Sequence, residues 1–359
     1  MTCLITLKHV TLIEMLLNCE LIMILSQTAP EYLIHSNGKP CFGHFDGVPK
    51  QLGIHRFEYR NNMDRKVGKL KKYFHYKQFQ FVSIMTPRYV IGLAIADIRY
   101  VGSAFCYVYD VQTDTLVEQS WLRPLNIDKQ MSLSPHEGYS HIAAKKLAFE
   151  ITYPNWQVKA NTELLQLDVS LQPPSSSLPL SLCTPTGYNG WTYTKKHNAL
   201  AVKGNITVGG NQIDTSLALG GYDFSAGYMR RETSWRWASI NGCSDKGKLG
   251  LNLAAGVNET GSHENALWIN EERHLLGAVH FHFDRQATQK KWRVFSDDGR
   301  VDLTFTPLNN RSEKLNLWVF QSNFRQFIGY FSGFIKDENG VLHTLELQLG
   351  LTEDHFARW

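Results

Sequence analysis

The chain has 359 residues, of which 43% are hydrophobic and 19% charged, and its formal net charge is +4 at pH 7. This composition excludes a disordered or fibrous protein, and so small a net charge gives no reason to expect nucleic acid as a partner. The length exceeds the size at which one core usually stops growing, so we expect two modules. The 9 Trp, 15 Tyr and 19 Phe favour β-structure with a sizeable core.

The first 25 residues are apolar but are interrupted by three charged side chains. They are too broken for a membrane span and poor as a signal-peptide core, so we interpret 1–25 as an extension outside the domains, with Met15 or Met23 as alternative starts. The six cysteines are far apart and form no C-x-x-C pair. This spacing predicts reduced thiols in a cytoplasmic protein. No other stretch is apolar enough to predict stable membrane insertion.

From Phe79 onward the apolar residues recur with period two, which predicts half-buried strands. The clearest alternations are at 165–171, 279–283, 301–305 and 345–349. Glycine-containing turn pairs at 209–210, 298–299 and 339–340 separate such runs. No long amphipathic helix is visible. The sequence therefore predicts an all-β protein of sandwich or up-and-down barrel type.

The strongest break in composition is QPPSSSLPLSLCTPTG at residues 172–187, where prolines remove backbone donors and serines supply no core. We place the module boundary there. The prediction is an N-terminal β-module over 26–178 and a C-terminal β-module over 179–359, two antiparallel barrels or sandwiches packed through a shared face.

The densest group of chemistry-bearing residues is GGYDFSAGYMRRETSWRWA, at 220–238. Strand alternation puts Trp235 and Trp237 on one face, where they either fill a core or line a ligand cleft. Asp223 stands between two aromatic residues, and if buried it needs a partner, for which Arg230 or Arg231 is the nearby choice. It is either a structural ion pair or a functional acid or base.

A second stretch, NETGSHENALW at 258–268, contains Glu264. Beside an aromatic residue Glu264 could have the raised pKa that a general acid needs, or it could cap a turn. Together with Asp223 it would supply two carboxylates for acid/base work. His280 and His282 project from one strand like half of a metal site, but no convincing third ligand is near, so no metal is expected.

Two further clusters have polar and aromatic residues side by side. Lys195, Lys196 and His197 follow Trp191 and would meet either an anionic headgroup or water. Residues 65–77 mix six lysines and arginines with aromatics, a combination that grips single-stranded nucleic acid or that simply faces solvent. The sequence has no Gly-rich phosphate loop and no G-x-S-x-G elbow, so no nucleotide cofactor is expected.

Several motifs in fixed order, among them FDGVPKQLG, IADIRYVGSAFCYVYD, WTYTKKHNALAVKG and GLTEDHFARW, cover the chain from about residue 30 to 359. In these the sequence resembles the bacterial domain-of-unknown-function family numbered 2804. The resemblance implies two calycin-like β-barrel halves, similar in architecture to carotenoid 1,2-hydratases and lipocalin-like cyclases, but no established activity. The family's Asp, Gly and Trp-x-Trp motif falls on 223–237, its Glu-Asn step on Glu264 and Asn265, and its terminal Glu and Arg on Glu353 and Arg358.

Three hypotheses follow. The first is a cofactor-free hydratase, isomerase or cyclase acting on an apolar, lipid-like or isoprenoid-like molecule, with Asp223 and Glu264 as catalytic residues. The second is a carrier that holds such a molecule unchanged, and the third is a protein-interaction module. The oligomeric state is not predicted. The residues expected to bind the ligand are Trp191, Lys195, His197, Tyr222, Arg230, Trp235, Trp237, Asn265 and Trp268.

Overall fold

The computed structural model describes residues 26–258, 261–317 and 320–359. The predicted extension 1–25, with both alternative starts, lies outside these residues. The described part is almost entirely β-strand, with one α-helix, α1 (Lys69–His75), and a short 3-10 helix (Ile54–Arg56). No helix in these ranges is long and apolar enough to cross a membrane. The cysteines of the described part are free thiols: Cys41, Cys106, Cys183 and Cys243.

Fifteen strands of the described chain form the first sheet, which is a nearly closed barrel around one apolar core. The sheet is antiparallel except where β1 pairs with β2. Its strands are β1 (Ser26–Thr28), β2 (Gly43–Asp46), β3 (Lys77–Met85), β4 (Tyr89–Asp97), β5 (Val101–Asp110), β6 (Thr115–Pro124), β7 (Lys129–Gln130), β8 (Glu137–Ile142), β9 (Leu147–Thr152), β10 (Asn155–Asn161), β11 (Leu165–Gln172), β12 (Leu180–Thr186), β13 (Gly190–Val208), β14 (Asn211–Ile213) and β15 (Leu219–Tyr228).

Nine strands of the described chain form the second sheet, an antiparallel half-barrel with its own apolar core on the side away from the first sheet. The last strand, β24, lies in the middle of this sheet, between β16 and β23. The strands are β16 (Glu232–Ser244), β17 (Gly247–Ala255), β18 (Asn265–Ile269), β19 (Glu272–Leu276), β20 (Val279–His282), β21 (Trp292–Ser296), β22 (Val301–Leu317), β23 (Phe320–Lys336) and β24 (Leu342–Arg358).

The all-β prediction is confirmed, and so are the strands predicted from alternation, which correspond to β11, β20, β22 and β24. In β11 the four residues predicted to face the core are buried and the intervening ones are more exposed. The glycine turn pairs fall between strands, as at Gly209–Gly210, between β13 and β14. Period-two patterning identifies these strands because each has one face on a core.

The change from the first sheet to the second comes between Tyr228 and Glu232. The sequence analysis placed the module boundary at 178/179, within the stretch 172–187. Much of that stretch is strand β12, which pairs with β2 and β13 in the first sheet. The composition break therefore marks a loop before an inner strand of the first sheet, and 26–178 as a separate folding unit remains a prediction.

The two sheets pack face to face through a third apolar cluster to which both contribute. Amide side chains fix their relative position: Asn198 Nδ2 donates to Ser239 Oγ at 2.6 Å, and Asn241 Nδ2 donates to Ser83 Oγ at 3.0 Å. A Cβ atom at Gly221 would lie 2.8 Å from Asn241 Oδ1, so glycine is what allows this close approach. The candidate site lies between these faces.

Candidate functional site

The centre of the site is a buried ammonium group. Lys196 on β13 is the cross-strand partner of Asp223 on β15, and both side chains point toward the second sheet. Lys196 Nζ donates to Asp223 Oδ2 at 2.6 Å and lies 4.0 Å from Oε2 of Glu264, the residue just before β18. The structure thus brings Asp223 and Glu264 to one cation. The partner of Asp223 is Lys196, and the expectation of Arg230 or Arg231 was wrong.

A third carboxyl group comes from the second sheet. Glu353 on β24 lies opposite Trp237 on one neighbouring strand and Gln326 on the other. Gln326 Nε2 donates to Glu353 Oε1 at 2.7 Å, and Trp235 Nε1 donates to Oε2 at 3.2 Å. Glu353 is close enough to Lys196 for each to affect the other's pKa. Three carboxyl groups therefore share the surroundings of one ammonium.

Burial sets the acid strength of the cluster. It raises the pKa of Glu353 to about 7, although Gln326, Trp235 and Lys196 each favour the ionised form. Burial also raises the pKa of Glu264, against the opposing effect of Lys196. Burial disfavours the charged form of Lys196 too, but Asp223 and Glu264 outweigh it and raise the pKa of this ammonium. Near neutral pH Lys196 is therefore protonated, and it lies close to Glu353, a carboxyl group whose pKa of about 7 is near the ambient pH.

A second layer of hydrogen bonds orients these groups. Ser225 Oγ donates to Asp223 Oδ1 at 2.8 Å, and Thr194 Oγ1 lies 3.1 Å from Ser225 Oγ. Asn252 Nδ2 donates to the backbone oxygen of Glu264 at 2.6 Å. Each carboxyl-bearing residue is therefore held by a neighbour that is not itself ionisable.

Aromatic side chains border the cluster. The ring of Phe81 meets Trp237 edge-on with centroids 5.8 Å apart, and Trp237 Nε1 donates to Asn252 Oδ1 at 2.7 Å. Phe79, Phe105 and Trp235 belong to the same cluster and are only partly buried. Trp235 and Trp237 share one strand face, as predicted. Carboxyl groups next to partly open aromatic surface suit an apolar molecule with one reactive polar group.

Four of the remaining predicted residues lie on the opposite face of the first sheet, toward the barrel interior: Trp191, Lys195, His197 and Tyr222. Lys195 is 0% exposed, its Nζ donates to the Pro135 carbonyl at 3.0 Å, and burial lowers its pKa to about 7. The rings nearest to Lys195 Nζ are those of Tyr153, Trp156 and Tyr222, with centroids 5.2, 5.7 and 4.9 Å away. The pleat of β13 therefore separates Lys195 from Lys196.

His197 and Trp191 also face the barrel interior. His197 Nε2 bonds to Ser177 Oγ at 2.9 Å, and its ring stacks at 5.3 Å on Trp268 of the second sheet. Burial lowers the pKa of His197 to about 3, so the ring is neutral. Trp191 is fully buried and meets Phe57 edge-on. These contacts are those of a packed core.

Two other predicted binding residues have structural contacts. Asn265 Oδ1 accepts from the Ala254 backbone N–H at 2.6 Å, and Asn265 Nδ2 donates to the Gly277 carbonyl at 2.7 Å. Arg230 Nη2 donates to the Gly256 and Val257 carbonyls. Neither reaches the carboxyl groups in these contacts.

The two histidines of the weak metal motif lie at the surface of the half-barrel. His280 Nε2 is 2.9 Å from Asp297 Oδ2. In the described ranges no group of three or more His, Cys, Asp or Glu side chains is placed to hold a metal ion. An open groove of about 780 Å³ lies here, lined by Arg236, Phe283 and Arg285 among others, away from the carboxyl cluster.

Sequence reasoning missed several members of the site. Lys196 was grouped with Lys195, although alternation along β13 separates them. Glu353 was noted only for the terminal motif, and Gln326 was not considered. Tyr107 was also missed: its hydroxyl is buried without a hydrogen-bond partner in the described chain, and burial, with the nearby Glu353 charge, raises its pKa. Lys196 and Tyr107 belong to the first sheet and Glu353 and Gln326 to the second, so only the packing of the two sheets brings these groups together, and no local motif reveals them.

Comparison with known proteins decides the family. A model of a domain of unknown function, DUF2804, matches residues 32–359. The chain belongs to this family. A comparison with curated proteins finds no match.

Two solved structures are similar in fold. Kievitone hydratase from Nectria haematococca is 13% identical, with a TM-score of 0.47, over 77% of this chain and 88% of that one. An AttH-type protein from Nitrosomonas europaea is 15% identical, with a TM-score of 0.46, over 78% of this chain and 92% of that one. Likenesses of this size carry no statement about what this chain binds or does.

Proposed function

We propose that this chain binds an apolar small molecule between its two sheets and transfers a proton to or from it, as a hydratase, isomerase or cyclase does. The observation that supports this most directly is the group of three buried carboxyl groups, Asp223, Glu264 and Glu353, around the Lys196 ammonium. Such an arrangement is destabilising to build, because each charge loses hydration, and sites of this kind are commonly functional.

The three carboxyl groups suit different roles. Glu353, with a pKa of about 7, is half protonated near neutral pH and is the proposed proton donor to an alkene or enol. Asp223 is held by Lys196 and Ser225 and is the proposed partner that accepts a proton or faces a developing positive charge. Glu264, whose Oε2 lies 4.0 Å from Lys196 Nζ, is the second carboxyl group beside that ammonium. Pairs of carboxyl groups with different environments are the usual basis of acid/base catalysis.

The half-buried rings of Phe79, Phe105 and Trp235 are the proposed walls for the apolar part of the ligand. A carrier needs such walls but makes no use of three carboxyl groups beside them. An interaction module needs neither. The carboxyl cluster therefore favours catalysis over both alternatives.

The first experiment asks whether a ligand binds at this site. Organic extracts of purified wild type, Trp235→Leu and Trp121→Leu are compared by mass spectrometry. Trp121 is also partly buried but packs against the barrel core, so its substitution is the matched control. We expect a defined apolar compound from wild type and Trp121→Leu that is absent from Trp235→Leu. Equal recovery from all three proteins would reject the inter-sheet site.

The second experiment asks whether the bound compound reacts. The extracted compound is incubated in deuterium oxide with wild type, Glu353→Gln and Asp223→Asn. Proton transfer predicts deuterium at a carbon position, or the added mass of water, with wild type only, while all three proteins keep the compound bound. Unchanged compound with every protein would make the chain a carrier.

A further inference from the structure

One end of the first barrel carries an unusual mixture of groups. Strand register places the starts of β3, β5 and β13 and the ends of β4, β6 and β15 at this end. Residues 61–75, with helix α1, and the turns 98–100, 123–128 and 187–189 surround it, and together we call them the basic rim. Asn189 Nδ2 donates to the Asn61 carbonyl at 2.8 Å, and Tyr73 Oη donates to Asn126 Oδ1 at 2.9 Å. These contacts make the segments one continuous surface.

The basic rim concentrates positive charge. The rim contains seven lysines and arginines and two aspartates, in a chain whose whole net charge is only +4. Arg65, Lys66, Lys69 and Lys71 are exposed. Exposed cations in such density raise the local concentration of anionic partners.

The same rim exposes large aliphatic side chains. Met63 is 77% exposed, Leu70 74%, Ile127 62% and Leu125 52%. Leu70 lies within α1, directly between two lysines. Exposed apolar groups next to cations are the composition of surfaces that lie in the interface of a membrane, where headgroups meet acyl chains.

We propose that the basic rim docks on the surface of a lipid bilayer that contains anionic lipids, with its lysines on lipid phosphates and Met63, Leu70, Leu125 and Ile127 among the headgroups. Charge complementarity selects the anionic lipid, and the aliphatic groups need an apolar phase that a free anion does not offer. This is adsorption to a surface, without a spanning segment. The proposal stands whether or not the inter-sheet site is catalytic.

Single-stranded nucleic acid is the other polyanion that this surface could bind, because residues 65–77 also contain aromatic side chains. Stacking of bases requires free ring faces. Phe74 already stacks on Tyr100, with centroids 4.7 Å apart and planes 11° apart. The Arg99 guanidinium lies 4.8 Å from the centroid of the Tyr73 ring. The rings of Tyr73 and Phe74 are thus engaged within the protein, which leaves Tyr188, 69% exposed, as the open ring of the rim beside four open aliphatic side chains.

The test is co-sedimentation of the full chain with vesicles. One set is phosphatidylcholine alone and the other an equimolar mixture of phosphatidylcholine and phosphatidylglycerol. We expect binding to the mixed vesicles only, weakened as salt is added. Equal binding to both sets, or to neither, would overturn the proposal.

Two pairs of variants separate charge from apolar contact. Removing Lys66, Lys69 and Lys71 together by substitution with Ala should lower the partition coefficient about a hundredfold, at about fivefold per lysine. The control removes the exposed Lys203, Lys246 and Lys314 in the same way, with the same loss of net charge. Leu70→Ser should lower the partition coefficient several-fold. Leu217 lies outside the rim and is 72% exposed, so Leu217→Ser is the control and should leave the partition coefficient unchanged.

Competition with a single-stranded oligonucleotide decides between the two polyanions. We expect the oligonucleotide to leave vesicle binding intact at physiological salt. If it displaces the vesicles while Leu70→Ser has no effect, the rim is a nucleic-acid surface and the membrane proposal fails. If the control lysines matter as much as the rim lysines, only net charge is acting and the proposal also fails.

Discussion

Lys195 and Lys196 are adjacent and both are buried, yet their surroundings are opposite. Lys196 faces the second sheet, where Asp223 and Glu264 outweigh the effect of burial and raise its pKa. Lys195 faces the barrel interior, where no ion pair with a carboxylate is present among the described residues and burial lowers its pKa to about 7. One step along a strand reverses the electrostatics, because the pleat sends successive side chains to opposite faces.

The two lysines differ in whether carboxyl groups surround the ammonium. The carboxyl groups around Lys196 raise its pKa and keep it protonated, and Glu353 is the group of this cluster with a pKa of about 7. Around Lys195 three rings and one carbonyl offset part of the lost hydration but hold no opposite charge. Substituting each lysine by methionine, which is of similar length, should therefore give opposite results.

The largest effect is expected from Lys196→Met. It leaves Asp223 and Glu264 buried without their cation, so the free energy of unfolding should fall by about 3–5 kcal/mol at pH 7. Denaturant unfolding followed by fluorescence measures it. The double variant Lys196→Met with Asp223→Asn should recover part of the loss, because one uncompensated charge is gone. No loss in the single variant would mean that the three groups are not coupled.

The sequence predicted the fold better than the site. Alternation in β11 and β22 is visible because each strand has one face on a core, and the sequence places Trp235 and Trp237 on one face for the same reason. The module boundary differs from the sheet boundary because 172–187 is rich in proline and serine yet includes β12, which the sheet accepts at an inner position.

The site was half predictable. Asp223 and Glu264 stand out in the sequence because a carboxylate among aromatic residues needs a polar or charged partner if it is buried. Lys196 and Glu353 do not stand out, because they lie in different sheets that only tertiary packing brings together. The long-range pairing of β16 with β24 brings Glu353 beside Trp237, and no local pattern encodes that pairing.

The second effect is expected from Glu353→Gln and depends on pH. In the folded chain the pKa of Glu353 is raised from 4.5 to about 7, so the native state keeps a proton that the unfolded state has lost. This contribution to stability is present below about pH 4.5 and is lost as pH rises to about 7. The variant lacks the titration, so at pH 8 it should exceed wild type by about 3 kcal/mol in free energy of unfolding.

Unfolding of both proteins at a series of pH values gives this difference directly. Glu346→Gln, an exposed residue on the same strand, is the matched control and should track wild type throughout. A difference between wild type and Glu353→Gln that does not grow between pH 5 and pH 8 would contradict the raised pKa.

The third effect, opposite in sign to that of Lys196→Met, is expected from Lys195→Met. The native pKa of Lys195 is lowered from 10.5 to about 7, so above pH 7 the unfolded state binds more protons and wild-type stability should rise with pH up to about 10. Methionine removes a buried cation without a counter-charge and should raise the free energy of unfolding at pH 7. This gain should shrink toward pH 10, where the lysine is neutral in both states.

Lys203→Met, an exposed change on the same strand, should show neither the gain nor its pH dependence. A loss of stability in Lys195→Met comparable to that in Lys196→Met would show that the rings and the Pro135 carbonyl stabilise the interior ammonium as well as carboxylates do.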